Sequence, residues 1–330
     1  MADLRTEFLG LKLKSPVIAG SSGMTSDINH LIALEKAGVG AVILKSIFEE
    51  QINRETTASI GSGDAYPEAG DYIRNYIRAN TLEEYVKLLK TAKSELGIPV
   101  IPSINCMTDG GWVDFARHLE DAGADAVEVN AFVLPVNPFR ESADVESVYY
   151  RIIKHLKSEI KIPVLFKIGH NFTNLPMFVS KLKGYGADGV TIFNRFFEPD
   201  IDIDKMEVGG ATVFTTSSDI RTTIRWTGIL RSMAGNFDIS ASTGVHDGKS
   251  VVKLLLAGAN TAQLCSVLYR EGTDVVGKIN GDIAAWMDAK GYRSIDEFRG
   301  KLAYSDIKNV DLYERSQFMK YFSNKKIDRL

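Results

Sequence analysis

The chain has 330 residues, 45% hydrophobic and 25% charged, with a formal net charge of −3 and a pI near 6.0. That balance offers no global attraction to nucleic acid or to an anionic membrane. No apolar run approaches the roughly 20 residues that span a bilayer, and the opening MADLRTEFLG has no signal-peptide apolar core, so a cytoplasmic protein with neither nucleic-acid nor membrane partners is expected.

Taken in chain order, predicted strands and helices alternate. Strand 15–21 runs into Ser21, Ser22 and Gly23, and helix 26–37 follows. Strand 41–46 ends in Lys45 and Ser46, a long connection covers 47–80, and helix 81–96 comes next. Strand 99–105 ends in Asn105 with Cys106 beyond it, before helix 111–122. Strand 126–131 carries Asn130 near its end and is followed by helix 143–160; strand 163–168 carries Lys167 before helix 175–184. Strand 189–194 ends in Asn194 and Arg195, and a second long connection, 196–221, leads to helix 222–234. Strand 238–243 ends in Ser242, Thr243 and Gly244 before helix 247–257, and strand 261–267 contains Cys265 and Ser266 before a last helix at 273–289. The polar tail 291–330 is expected to form a helix or two outside the main body.

A repeated phrase supports this division: KAGVGAVILKS from Lys36, DAGADAVEVNA from Asp121, GYGADGVTIFN from Gly184 and LAGANTAQLCS from Leu256. Each has a helix ending at a glycine, the residue suited to the left-handed position just past a helix, and then an apolar strand. Eight such units in one chain favour a single α/β domain over 1–330, a (β/α)8 TIM barrel with long loops after strands two and six and a C-terminal helical tail. No Gly-x-Gly-x-x-Gly turn follows a strand, which argues against a dinucleotide-binding sheet.

A (β/α)8 barrel brings all eight strand ends to one mouth. Lys45, Lys167, Asn105, Asn130 and Asn194 would then surround one pocket, the usual form of a small-molecule site. A strand-end lysine also simply reaches solvent and an asparagine also simply caps a turn, so the joint pattern carries the argument. Around strands seven and eight, small residues leave backbone N–H groups open to a phosphate, of substrate or cofactor, or simply make tight turns. The chain's two cysteines, Cys106 and Cys265, cannot build a disulfide framework or a Cys-rich metal site, and its five histidines show no ligand spacing; no catalytic metal is expected.

The blocks LGLKLKSPVIAGSSGMT, VILKSI, GADAVEVN, PVLFKIG, GVTIFNR, STGVHDGKSVVKLLLAGANTAQLCSVLYREG and GYRSIDEFRGKL, in this order, resemble the FMN-dependent dihydroorotate dehydrogenases over nearly the whole chain. The resemblance implies a (β/α)8 flavoprotein that oxidises dihydroorotate to orotate in pyrimidine synthesis. It implies that Ser21, Ser22 and Gly23 run along the flavin and that Lys45 and Ser46 sit by its ring, Lys45 also near the substrate. Asn105 and Asn130 would bond flavin or substrate, Lys167 would neutralise reduced flavin at its N1–C2 edge, and Asn194 would hold the substrate. Thr243, Gly244, Cys265 and Ser266 would hold the FMN phosphate through backbone amides. Soluble members of this family are often dimers, so a homodimer is the expectation.

Three departures fall mainly on the substrate side. The position of the family's Cys or Ser base, counted from Asn130, is Val133, and its neighbours Phe132, Leu134 and Pro135 accept no proton either. AYPEAGDYIRN replaces the family's Asn-Ser-Met-Gly-type segment, and Thr243 replaces the first of two glycines. Cys106 is the candidate substitute base. The alternatives are a flavin-binding barrel with another substrate or no activity, and an aldolase- or isomerase-type barrel using Lys45 or Lys167 as a Schiff-base amine.

Overall fold

The computed structural model describes residues 2–48, 67–105, 112–195, 198–210, 212–235 and 237–314. It opens with a hairpin of β1 (Thr6–Phe8) and β2 (Leu11–Leu13). Its two turn residues, Leu9 and Gly10, have φ of 55° and 73°, the twist a two-residue hairpin loop needs. Then come β3 (Val17–Ala19), β4 (Ala41–Ile43), β5 (Ile47–Phe48), β6 (Val100–Ile101), β7 (Ser103–Asn105), β8 (Val127–Asn130), β9 (Val164–Ile168) and β10 (Gly189–Ile192). A second hairpin, β11 (Pro199–Asp202) with β12 (Glu207–Gly210), precedes β13 (Asp238–Ala241) and β14 (Thr261–Leu264).

The large sheet runs β5-β7-β8-β9-β10-β13-β14-β3-β4-β6 with every pairing parallel. Since β4 and β5 are halves of one strand, and β6 and β7 halves of the next, the order closes on itself as the expected (β/α)8 barrel. The helices outside it are α1 (Ile28–Ala37), α2 (Pro67–Glu95), α3 (Trp112–Asp121), α4 (Ser142–Glu159), α5 (Leu175–Gly184), α6 (Ile220–Ala234), α7 (Gly248–Ala257), α8 (Ser266–Glu271) and α9 (Val275–Lys290). Among the described residues no helix is long and apolar enough to cross a membrane.

The repeated phrase has a local cause. Gly38, Gly123, Gly186 and Gly258 all have φ between 90° and 113°, which turns the chain from helix to strand. In three repeats a polar side chain just beyond the glycine then closes the barrel floor. Asp125 Oδ2 accepts the Val100 N–H at 2.8 Å, Asp188 Oδ2 the Val164 N–H at 2.8 Å, and Asn260 Oδ1 the Ile239 N–H at 3.1 Å. Each satisfies a backbone donor at the start of the neighbouring strand. Asp188→Ala is therefore expected to lower stability by about 1–3 kcal/mol, the cost of an unmet buried donor; a loss under about 0.5 kcal/mol on urea unfolding would contradict this role.

Four features differ from the sequence expectation. The first hairpin was not anticipated; it plugs the barrel floor, where Phe8, Leu9 and Leu13 pack with Ile18, Ile43, Ile101 and Leu165. Helix α2 begins at Pro67, not near 81, because proline at a first helical position gives up an N–H that has no partner there anyway. The connection after β10 contains the β11–β12 hairpin. Ser266, read as the end of a strand, opens α8, an extra helix ahead of α9, which itself matches the expected helix at 273–289. The tail holds two short 3-10 turns and α10 (Asp311–Glu314); its remainder lies outside the described residues.

Candidate active site

The barrel interior is layered. Above the apolar floor lies a polar layer that the sequence reading missed. Glu128 is fully buried and accepts hydrogen bonds from Ser103 Oγ at 3.1 Å, Thr191 Oγ1 at 3.1 Å and Gln263 Nε2 at 3.4 Å. Gln263 Nε2 also donates to Ser240 Oγ at 3.1 Å. The chain Ser21 Oγ, Ser46 Oγ, Ser103 Oγ continues this layer to strands one to three, with steps of 3.0 and 2.8 Å. The signal was present in VEVN, GVTI, DISA and TAQL: one or two polar side chains at alternate positions of otherwise apolar strands, which is how a strand presents its inner face.

The mouth sits one step above. Strand register sets Asn105 beside Asn130 and Asn130 beside Lys167, so three predicted residues stand side by side on β7, β8 and β9, about 4.8 Å apart by ordinary strand spacing. Lys167 Nζ lies 3.8 Å from Glu128 Oε1 below it. From the next strand end, Asn194 Nδ2 donates to Asn130 Oδ1 at 2.9 Å. A cavity of about 180 Å³ opens here. Ser21, Lys167, Asn194, Thr243, Gly244, Cys265 and Ser266, all expected at the site, line it together with Arg195, Gln263 and Thr215.

The far wall is made of small residues held tightly. Thr243 and Gly244 have φ of 80° and 79°. A Cβ on Gly244 would lie 2.3 Å from the Ile220 backbone nitrogen, so only glycine lets α6 approach. Thr243 Oγ1 donates to the Phe193 carbonyl at 2.9 Å, which holds this non-glycine residue in its left-handed conformation. Thr215 N–H donates to Ser266 Oγ at 3.0 Å, bringing the loop after β12 onto the same wall.

Other expected residues lie at or beside the cavity. Ser46 is buried and its N–H donates to Ser21 Oγ at 2.9 Å. Ser22 caps the 3-10 turn Gly23–Thr25, and Gly23 lies under the Tyr269 hydroxyl. Lys45 is placed differently. Strand two breaks after Ile43, the Lys45 N–H donates to the Thr25 carbonyl at 3.2 Å, and its exposed side chain lines a neighbouring cleft with Asp27 and Tyr85. Cys106 lies outside the described residues. Cys265 is half-buried on the cavity wall: desolvation pushes its pKa up, against the opposing pull of Lys167, and its Sγ donates to the Ser21 carbonyl at 3.6 Å. It is expected to resist iodoacetamide at pH 8; rapid alkylation would contradict that placement.

At the expected base position, the Val133 N–H donates to Tyr149 Oη at 3.0 Å, and Val133 packs against the core between barrel and helices. It lines a separate cavity with Phe132, Pro135, Arg140 and Phe172. Beyond it Leu134, Val136 and Phe139 are exposed. The loop is thus apolar in sequence, while the cavity beside it is mixed, with Arg140, Glu146 and Asn171 among its lining residues.

The residues fit an FMN. Gln263 Oε1 and Arg195 Nη1 are buried without hydrogen-bond partners, Lys167 offers a cation, and Thr243, Gly244, Cys265 and Ser266 line the same cavity. No group of three or more metal-ligating side chains occurs among the described residues.

Comparison with known proteins agrees with this arrangement. The family model described as "Dihydroorotate dehydrogenase" matches residues 3–287. The chain is 27% identical over 310 residues to a putative dihydroorotate dehydrogenase A (fumarate) of Aeropyrum pernix, covering 90% of this chain and 97% of that one. It is 26% identical over 306 residues to the catalytic subunit of dihydroorotate dehydrogenase B (NAD(+)) of Thermoplasma acidophilum, covering 91% and 99%. A fold, a polar mouth and a family match over most of the chain lead to one assignment: the chain belongs to the dihydroorotate dehydrogenase family, FMN-dependent oxidoreductases built on a (β/α)8 barrel.

Proposed function

We propose that residues 1–330 form one FMN-binding barrel that oxidises or reduces the CH–CH bond of a small ring substrate, dihydroorotate to orotate being the family reaction. The observation that supports it most is the aligned row Asn105, Asn130 and Lys167 beside the Thr243–Gly244 wall. Bound FMN supplies the hydride acceptor or donor. The protein's share is binding and electrostatics. Lys167, anchored on Glu128, holds positive charge at the mouth, where it would favour the anionic form of a reduced flavin. Asn194 and Asn130, bonded to each other, present a fixed amide pair to a ring substrate. The tight wall at Thr243, Gly244, Cys265 and Ser266 would take the cofactor phosphate on backbone amides. We place this activity in the cytoplasm.

A second reading, that the substrate differs from dihydroorotate or that activity is lost, is favoured by the base loop. A general base must come within hydrogen-bond reach of its proton, and Val133 is tied by its N–H to Tyr149 and packs on the core. An anaerobic titration decides between them. Bleaching of the flavin absorbance by dihydroorotate supports the family reaction and directs the search for a base to Cys106. An unchanged flavin spectrum supports the second reading. Colourless protein that is trapped on a carbonyl substrate by borohydride would sink both and favour Schiff-base chemistry.

The reading includes a homodimer. The β11–β12 region exposes four large apolar side chains, Ile201, Ile203, Met206 and Val208, the kind of grouping a subunit interface covers. Ile203→Asp with Val208→Asp is expected to give a monomer by light scattering; a chain that is monomeric without these changes would contradict the dimer.

A further inference from the structure

At the end of β10 two neighbouring polar residues part company. Asn194 turns toward Asn130 on β8. Arg195 turns the other way: its Nη2 donates to the Thr212 carbonyl at 2.9 Å. Three residues on, Thr215 is bonded through its N–H and its hydroxyl to Ser266 Oγ, at 3.0 and 3.1 Å. Arg195 is thus held by the loop that closes onto the small-residue wall, not by the groups facing β8.

Its charge is not balanced there. Arg195 makes no ion pair among the described residues, and its Nη1 is buried with no hydrogen-bond partner. Among the described residues, no carboxylate lines its cavity. The other cation, Lys167, has Glu128 beneath it at 3.8 Å. A guanidinium with an unmet buried donor is costly unless an acceptor arrives, and its forked N–H groups match an oxyanion best.

We propose that Arg195 is a phosphate-binding residue of the cofactor cavity, directing its free Nη1 to the phosphate of FMN and adding a charged side chain to a wall otherwise made of backbone amides. This rests on the flavin reading above. It assigns the substrate side of β10 to Asn194 and the cofactor side to Arg195.

The test compares FMN with riboflavin, which lacks the phosphate, on the full chain stripped of flavin and titrated by flavin fluorescence. Arg195→Gln can keep a donor to the Thr212 carbonyl while losing the charge. It is expected to weaken FMN about 10- to 100-fold and to leave riboflavin within about twofold. Riboflavin serves as the internal check that the ring site is intact. Arg195→Lys, which keeps the charge without the fork, is expected to fall between Arg195→Gln and the unchanged chain. An unchanged ratio of the two affinities overturns the proposal, and so does an equal loss of both. If the ratio holds while orotate binds the flavin-loaded variant more weakly, Arg195 belongs to the substrate side and the phosphate assignment is overturned. Failure of the unchanged chain to bind either flavin removes the flavin reading itself, and is told apart by needing no variant.

Discussion

Lys167→Ala lowers the midpoint potential of the bound flavin by about 50–90 mV and slows its reduction. A unit charge at contact distance, in the effective dielectric of a partly buried site, is worth about 4 kcal/mol, and about 1.4 kcal/mol corresponds to 30 mV for a two-electron couple. The same change leaves Glu128 fully buried, without its cation and, among the described residues, with Ser103, Thr191 and Gln263 as side-chain donors. A stability loss of about 2–4 kcal/mol should accompany it. Adding Glu128→Gln removes the stranded carboxylate, so the double variant should regain most of that stability and still not regain the potential of the unchanged chain. Anaerobic redox titration beside urea unfolding separates the two effects. An unaltered potential in Lys167→Ala would refute the electrostatic role.

Gly244→Ala should abolish retention of FMN and destabilise the fold by about 2–5 kcal/mol. Two costs combine: an L side chain at φ 79°, and a Cβ placed 2.3 Å from the Ile220 nitrogen and 2.8 Å from its Cα. Positive φ and overpacking each cost about 1–3 kcal/mol. Since Ile220 opens α6, the strain can be relieved only by moving that helix or the wall. Gly184→Ala is the control, with a negative φ and open space around its Cβ; it should be nearly neutral. Equal behaviour of the two variants would show that Gly244 is not tightly held.

The fold was legible because its repeat is chemical. The glycines past α1, α3, α5 and α7 need left-handed φ, and Asp125, Asp188 and Asn260 then meet the first donors of neighbouring strands, so the same letters recur at each joint. Elements without this joint were harder to see. The β1–β2 hairpin has only three residues per strand, and its Leu9–Gly10 turn lacks the usual Asn-Gly pair. The start of α2 hides behind Pro67 and Gly70, which read as a loop when a proline at the first helical position is overlooked.

The candidate site was legible at strand ends and not below them. Asn130, Lys167 and Asn194 stand where an apolar strand stops, which marks them. Glu128, Thr191, Ser240 and Gln263 lie inside strands that read as near-continuous apolar runs, and the alternation of inner and outer faces is what marks them. Lys45 is also marked in the sequence by its strand end, and its exposed side chain lines a cleft that Ser46 shares beside the cavity. Arg195 was visible at its strand end but had no role until its hydrogen bond to Thr212 showed which way it faces.

The central claim is that this barrel holds FMN, and its most direct test is the flavin content of the purified chain. Heat release followed by chromatography and absorbance should give close to one FMN per chain, as FMN itself and not as FAD or riboflavin. Colourless protein that takes up no added FMN would contradict the account.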